Sequence, residues 1–162
     1  MKVFAIILTI LVLAVAGCLC YGLYHTRLEV VGKGLQTLPA QERSAQFDAL
    51  RDAVSQRTMQ GTLLKDEPLA DAQDYTYYIY SLRLKNTGLV SAEMVELQIA
   101  PTDSDILFYG DTGEIVIPAG QSRDVWCVLL TKGKPSPIRE IFITYYLWGH
   151  PLEMRYTYDD MR

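Results

Sequence analysis

The spacing of apolar positions changes twice along this chain. The first stretch is almost continuously apolar. The 22 residues from Val3 to Tyr24 carry no charge, and Lys2 is the only charged residue before them. As a helix they would be about 33 Å long, enough to cross a hydrocarbon core of about 30 Å. The pattern therefore predicts a transmembrane anchor over residues 1–24.

Residues 14–18 leave open whether this segment is retained. Ala14-Val15-Ala16 has the small-x-small pattern that signal peptidase cleaves, and the residues up to Cys18 resemble a bacterial lipobox, in which that cysteine is lipidated. A cleavage site normally closes the apolar region, whereas here the chain stays apolar as far as Tyr24. We therefore favour an uncleaved anchor with a cytoplasmic N-terminus and an extracytoplasmic domain. A lipoprotein anchored at Cys18 is the alternative.

The next segment, residues 25–61, contains one stretch of helical periodicity. Phe47, Leu50 and Val54 are spaced i, i+3 and i+7 and form one apolar stripe, while the other positions carry charges of both signs. Pro39 suits the first turn of a helix. We expect a short amphipathic helix over about 39–56, docked on the following domain rather than lying on a membrane surface, because its charges are mixed.

From residue 62 to residue 159 the period becomes two. Short stretches of alternating or continuous apolar residues are separated by turn signals such as Asn86-Thr87-Gly88 and Gly149-His150-Pro151. The predicted strands cover about residues 75–86, 91–101, 105–110, 113–118, 123–131, 138–148 and 152–158. About seven strands without intervening helices predict a mainly β protein, an Ig-like antiparallel β-sandwich, because each half-apolar sheet must bury its inner face.

Two of these stretches carry a resemblance to a known group of domains. The segments "LRLKNTGLVSAEMVELQI" and "EIVIPAGQSRDVWCVLL" resemble bacterial extracytoplasmic Ig-like domains of the CARDB and FxLYD type, with Asn86, Gly88, Pro118 and Gly120 at the matching positions. The resemblance covers about residues 75–158. It implies an Ig-like sandwich and is nearly silent on function, because such sandwiches serve many roles.

The remaining composition argues against several functions. A net charge of −4 gives no basic surface for nucleic acid. Cys127 is the only cysteine outside the apolar segment and reads as a small buried side chain. Asp111-Thr112-Gly113 matches the aspartic-protease triplet but is explained by a turn between strands. We find no metal-ligand spacing, phosphate loop or nucleophile motif, and therefore expect no catalysis, no metal site and no cofactor.

Aromatic residues are the remaining candidates for a site, since the chain has 11 tyrosines. Alternation along residues 138–148 places Phe142, Tyr146 and Trp148 on the outward face, and Tyr75 and Tyr77 also point outward. Such rings could bind an envelope protein or a glycan. Alternatively, the helix at 39–56 covers them. We expect a membrane-anchored, extracytoplasmic binding or scaffolding module, or else an accessory subunit of a larger membrane complex.

Overall fold

The computed structural model describes residues 2–25, 27–111, 113–133 and 138–159. Its first element is the helix α1, Lys2–His25, which runs without a break through Cys18. Within it, Val3–Gly22 has a mean hydropathy of 3.0 and is long and apolar enough to cross a membrane. An 18-residue window of that stretch has no buried residue, whereas Gly22 at its end is buried. This agrees with a single-pass anchor.

The chain enters the first sheet almost as soon as it leaves α1. Strand β1, Leu28–Pro39, pairs antiparallel with β3, Tyr75–Asn86, from the pair Leu28–Asn86 to the pair Pro39–Thr76. The sequence pattern does not predict this strand. Gly32 and Gly34 break its alternation, and the register shifts between Val30 and Gly32. The sandwich therefore includes residues ahead of position 62, where the pattern places its start.

In the described residues, eight strands form two antiparallel sheets. One sheet has five strands in the order β1-β3-β6-β5-β2, and the other has three in the order β4-β7-β8. The prediction of a mainly β, two-sheet sandwich after an apolar helix is confirmed. The remaining strands are β2 Thr62–Leu63, β4 Glu93–Ile99, β5 Asp105–Gly110, β6 Ser122–Lys132, β7 Ile138–Leu147 and β8 His150–Asp159.

The main core lies between the sheets and is built by alternation. Leu82 and Leu84 of β3 and Cys127 and Leu129 of β6 face Ile141 and other apolar residues of the smaller sheet. Strand β6 lies in the middle of its sheet and is apolar on both faces, as its sequence predicts. Burial raises the pKa of the Cys127 thiol to about 12, so this cysteine is an inert core residue.

A second core lies on the outer face of the five-stranded sheet. A 3-10 turn, Ala40–Arg43, leads into the helix α2, Ser44–Ser55, close to the predicted bounds. Phe47 of α2 is fully buried, and its ring centroid lies 5.3 Å from that of Tyr75. Tyr77 is also buried in this cluster, which raises its pKa to about 12. The helix therefore covers the outward tyrosines of β3.

One predicted strand is wrong. Residues 113–118 form an extended segment rather than a strand, and only Ile117 makes a bridge, with Ala92. The neighbouring β4 has an irregular register between Glu93 and Glu96, with Met94 at a φ of 50°. This bulge interrupts regular pairing, and Pro118 has no N–H to continue it. Ile115 and Ile117 are nevertheless buried, which explains their apolar pattern.

A buried ion pair joins the two sheets at the end remote from α1. Arg139 of β7 donates from Nη1 to Oδ2 of Asp105 in β5 at 2.7 Å, and from Nη2 to Oδ1 at 2.9 Å. Their side chains are 1% and 0% exposed. Thr102 completes the group, because its N–H and its hydroxyl both donate to Asp105 Oδ2. If either side chain were removed, the other charge would remain buried without a partner.

A buried amide organises the opposite end, next to α1. The Asn86 side chain donates from Nδ2 to the carbonyls of Val90 (2.7 Å) and Ile117 (2.9 Å), and its Oδ1 accepts from the Gly88 N–H at 2.9 Å. Its backbone bonds to Gly120 and Gln121. All three hydrogen bonds of the Asn86 side chain are made with backbone groups. Asn86 therefore holds the loop of residues 87–91 against the segment of residues 117–121.

Arg139→Met should lower the free energy of unfolding by about 3–5 kcal/mol, because it leaves the Asp105 carboxylate buried without its cation. Urea denaturation of the full chain in detergent measures this. The matched control is Arg83→Met, whose partner Asp124 lies at 3.7 Å with both side chains more than half exposed. It should cost less than about 1 kcal/mol. Equal losses in the two variants would show that the buried pair has no special weight.

Asn86→Ala should cost about 2–3 kcal/mol, because the carbonyls of Val90 and Ile117 and the Gly88 N–H lose their partner. The same urea titration applies. Gln98→Ala, which removes an exposed amide from β4, should change stability by less than about 0.5 kcal/mol. If Asn86→Ala were as mild as Gln98→Ala, water would be able to replace these bonds and Asn86 would not organise this end.

Candidate functional site

The two outer faces of the sandwich differ in what covers them. The helix α2 covers the outer face of the five-stranded sheet, whereas the outer face of the three-stranded sheet carries an open groove. On that face, β7 presents Phe142, Thr144 and Tyr146, all half-buried. They pair with Arg155, Glu153 and Pro151 of β8, which project from the same face. This open face is the candidate site.

The three aromatic residues that alternation groups together have three different surroundings. The Arg155 guanidinium lies 5.2 Å from the centroid of the Phe142 ring and covers it. Tyr146 remains on the open face. Trp148 is not on this face at all, because β7 ends at Leu147 and Trp148 lies in the turn to β8. Alternation along a strand cannot place a residue that lies beyond the end of the strand. The prediction that Trp148 shares a face with Phe142 and Tyr146 is therefore wrong.

A groove of about 770 Å³ runs across the open face next to Tyr146. Met94, at the irregular register of β4, lines the groove on one side, and Asp111, Gly113 and Glu114 also line it. The groove combines an aromatic ring, a thioether and four carboxylates: its walls include Met94, Glu96, Asp111, Glu114, Tyr146 and Glu153.

The groove is therefore acidic. Four carboxyl groups line it, and no lysine or arginine stands among its described lining residues. Arg155, whose Nε lies 3.6 Å from Glu153 Oε1, offsets one of these four negative charges. The lining therefore keeps a net negative charge. An open surface with this charge favours a partner that presents cationic or hydrogen-bond-donating groups, and the Tyr146 ring can stack on a guanidinium or ammonium.

The other residues singled out from the sequence have simple positions. Asp111 is exposed, and its Oδ1 accepts a hydrogen bond of 3.3 Å from the Gly113 N–H, which makes an Asx turn. Thr112 lies outside the described residues. Cys18 is exposed on α1, inside the continuous helix. In the part of the chain that the structure describes, no three His, Cys, Asp or Glu side chains group closely enough to bind a metal ion.

Sequence reasoning missed the groove but not all of its residues. Alternation already places Glu96 and Glu153 on outward positions of β4 and β8. It could not show that these two strands flank β7 or that Asp111 and Glu114 line the same groove. That proximity depends on the order β4-β7-β8 and on the bulge at Met94.

Comparisons with known proteins give distant likenesses only. No protein-family model matches the chain, and no curated protein matches it. Among solved structures, it is similar to a FixG-related protein from Vibrio parahaemolyticus, at 12% identity and a TM-score of 0.36 over 78% of this chain and 94% of that one. It is also similar to the cupredoxin domain of amoB from Nitrosocaldus yellowstonii, at 14% identity and a TM-score of 0.36 over 82% of this chain and 86% of that one. At this TM-score neither likeness carries an argument about this chain.

Proposed function

We propose that this protein is a membrane-anchored, non-catalytic binding or scaffolding module of the cell envelope. Its domain is Ig-like, of the CARDB or FxLYD type, and lies on the extracytoplasmic side. It engages its partner through the open face of the three-stranded sheet. The observation that carries the proposal is the contrast between the two outer faces: one is sealed by α2, and the other exposes a groove beside Tyr146.

The groove suits binding better than catalysis. Its carboxylates lie on an open surface, without the buried pair of carboxylates that an aspartic protease requires. The only buried carboxylate–guanidinium pair described, Asp105 with Arg139, lies between the sheets, and Thr102 is hydrogen-bonded to both of its members. Charge complementarity on such a surface contributes mainly to specificity and association rate. We therefore assign the groove a partner with basic groups, an envelope protein in preference to a neutral glycan.

A second candidate is an accessory subunit of a larger membrane complex, held mainly by α1. It is favoured by the fact that the apolar side chains of α1 are uncovered, so that the helix is available to lipid or to another helix. The two candidates differ in which part of the chain recognises the partner: the groove in the first and α1 in the second.

Co-purification from membranes in mild detergent tests the proposal. The double variant Glu96→Lys/Glu114→Lys should reduce recovery of a stoichiometric partner roughly tenfold or more, which corresponds to about 1.4 kcal/mol of binding energy. The matched control, Asp103→Lys/Glu67→Lys, makes the same change in net charge at two exposed positions outside the groove. It should leave recovery unchanged. Equal recovery with both double variants would contradict a role for the groove.

An anchor exchange separates the two candidates. Replacing residues 2–25 with an unrelated transmembrane helix should leave the partner bound if the groove recognises it. Loss of the partner on exchange, together with its retention in the groove variant, would establish the subunit hypothesis instead.

A further inference from the structure

Two large apolar side chains project from loops at the end of the sandwich where α1 arrives. Leu89, in the loop between β3 and β4, is 73% exposed, and Trp148, in the turn between β7 and β8, is 52% exposed. They come from different sheets. Both loops lie at the same end because β4 starts opposite the end of β7, with Glu93 paired to Tyr146. A single exposed apolar residue needs no explanation, but these two lie together beside an apolar helix and form one patch.

The chain holds this end of the domain close to α1. The helix ends at His25, and the Arg27 carbonyl already accepts hydrogen bonds from the N–H (3.0 Å) and the hydroxyl (2.9 Å) of Thr87. Leu28 then pairs with Asn86. Two connecting residues span at most about 10 Å. The loop that carries Leu89 is therefore bonded directly to the chain where it leaves the apolar helix.

The side chains of Leu89 and Trp148 lie beside α1. Leu89, Val90 and Trp148 form one wall of an apolar cleft of about 440 Å³, and the other wall is the part of α1 from Ala14 to Gly22. The Leu89 Cδ1 atom would lie 3.9 Å from a Cβ built on Gly22. Ala14 to Gly22 is the C-terminal part of the apolar span, about 12 Å long at 1.5 Å per residue. If α1 crosses a bilayer, these side chains are level with the interface and the adjoining hydrocarbon.

The backbone at Trp148 has an unfavourable conformation, and this strain indicates a functional role for the side chain. Leu147 pairs with His150 across a two-residue turn, in which Trp148 has a φ of 49° and Gly149 a φ of 76°. Positive φ at both central residues defines the type I′ hairpin turn, whose usual first residue is Asn or Asp. A bulky residue in this conformation is an outlier. Such strain is commonly found where a side chain serves a function.

The charges of this end also suit a lipid surface. Arg27, Arg123 and His150 belong to it, whereas the segments 86–92, 117–123 and 147–152 contain no Asp or Glu. Glu93, Asp124 and Glu153 follow directly after these segments, so carboxylates begin one residue further along each strand. Headgroups of anionic lipids would meet basic groups in the segments themselves.

We propose that the loop at Leu89 and the turn at Trp148 insert into the lipid interface around α1 and hold the sandwich upright on the bilayer. This inference rests on the proposed membrane anchoring. The bilayer is the occupant of the cleft because the cleft is continuous with the apolar helix. Tryptophan suits the interface, since its ring is apolar and its N–H finds a partner among the headgroups. The open face of the three-stranded sheet then rises from the membrane surface, with Tyr146 and Pro151 of its groove nearest to the bilayer.

Depth-dependent quenching of tryptophan fluorescence tests the insertion, because the chain has only two tryptophans. Trp126→Phe leaves Trp148 alone. In vesicles of phosphatidylcholine with phosphatidylglycerol, replacing part of the phosphatidylcholine by a form brominated near the headgroup end of one acyl chain should quench the full-length variant roughly twofold.

Trp148→Phe is the matched control, since it leaves only Trp126. Trp126 lies on the outer face of the five-stranded sheet, paired with Ser81 and five residues along β3 from Asn86, about 17 Å from the membrane end. Its fluorescence should be unaffected by the brominated lipid. Equal quenching of the two variants, or none in either, would overturn the insertion. Flotation of the same vesicles separates the two proposals: a protein that floats unquenched is anchored without inserting, and one that does not float is not anchored.

Trp148→Asn supplies a second measurement. Asparagine suits the first position of a type I′ turn followed by glycine, so the thermal midpoint of the full chain in detergent should stay the same or rise. A clear fall in the midpoint would mean that Trp148 stabilises the sandwich by packing, and that its exposure to lipid is not the reason for its strained backbone.

Discussion

The side chain of Asn86 and the hydrogen bonds beside it determine how the domain meets its anchor. This one amide binds the carbonyls of Val90 and Ile117 and the N–H of Gly88, and its own residue pairs with Leu28 at the start of β1. Next to it, Thr87 is bonded to Arg27. The position of the Leu89 loop and the entry of the chain into the sheet thus depend on the same group. The first sheet therefore begins three residues after the end of α1.

The faces of the two sheets have different surroundings. The inner faces of the two sheets bury each other, and the Asp105–Arg139 pair joins them at the end remote from α1. The helix α2 seals the outer face of the larger sheet through Phe47 and Tyr75. The outer face of the smaller sheet remains open, and its groove is the surface that we propose for a partner. A fixed orientation on the membrane would hold this face upright, with the groove close to the bilayer surface.

The sequence predicts the elements whose pattern is strong and local. A charge-free run of apolar residues, the stripe from Phe47 to Val54 and the alternation of β3, β6 and β7 each depend on neighbours in the chain. Strand β1 was missed because Gly32 and Gly34 interrupt its pattern, and its stability comes from pairing with β3. Residues 113–118 show the converse, since alternating isoleucines are buried there without a strand. The groove and the Leu89–Trp148 pair join residues distant in the chain, so only the order of the strands could reveal them.

The proposed anchoring depends on an apolar helix that is retained and leads into the first sheet. The intact mass of the protein extracted from membranes tests the retention of this helix most directly. We expect the mass of a chain that still carries residues 1–17, and we expect Cys18→Ala to remain in the membrane. A chain that begins at a lipidated Cys18 would contradict the claim, because the helix beside Leu89 and Trp148 would then be cut within the stretch that lines their cleft.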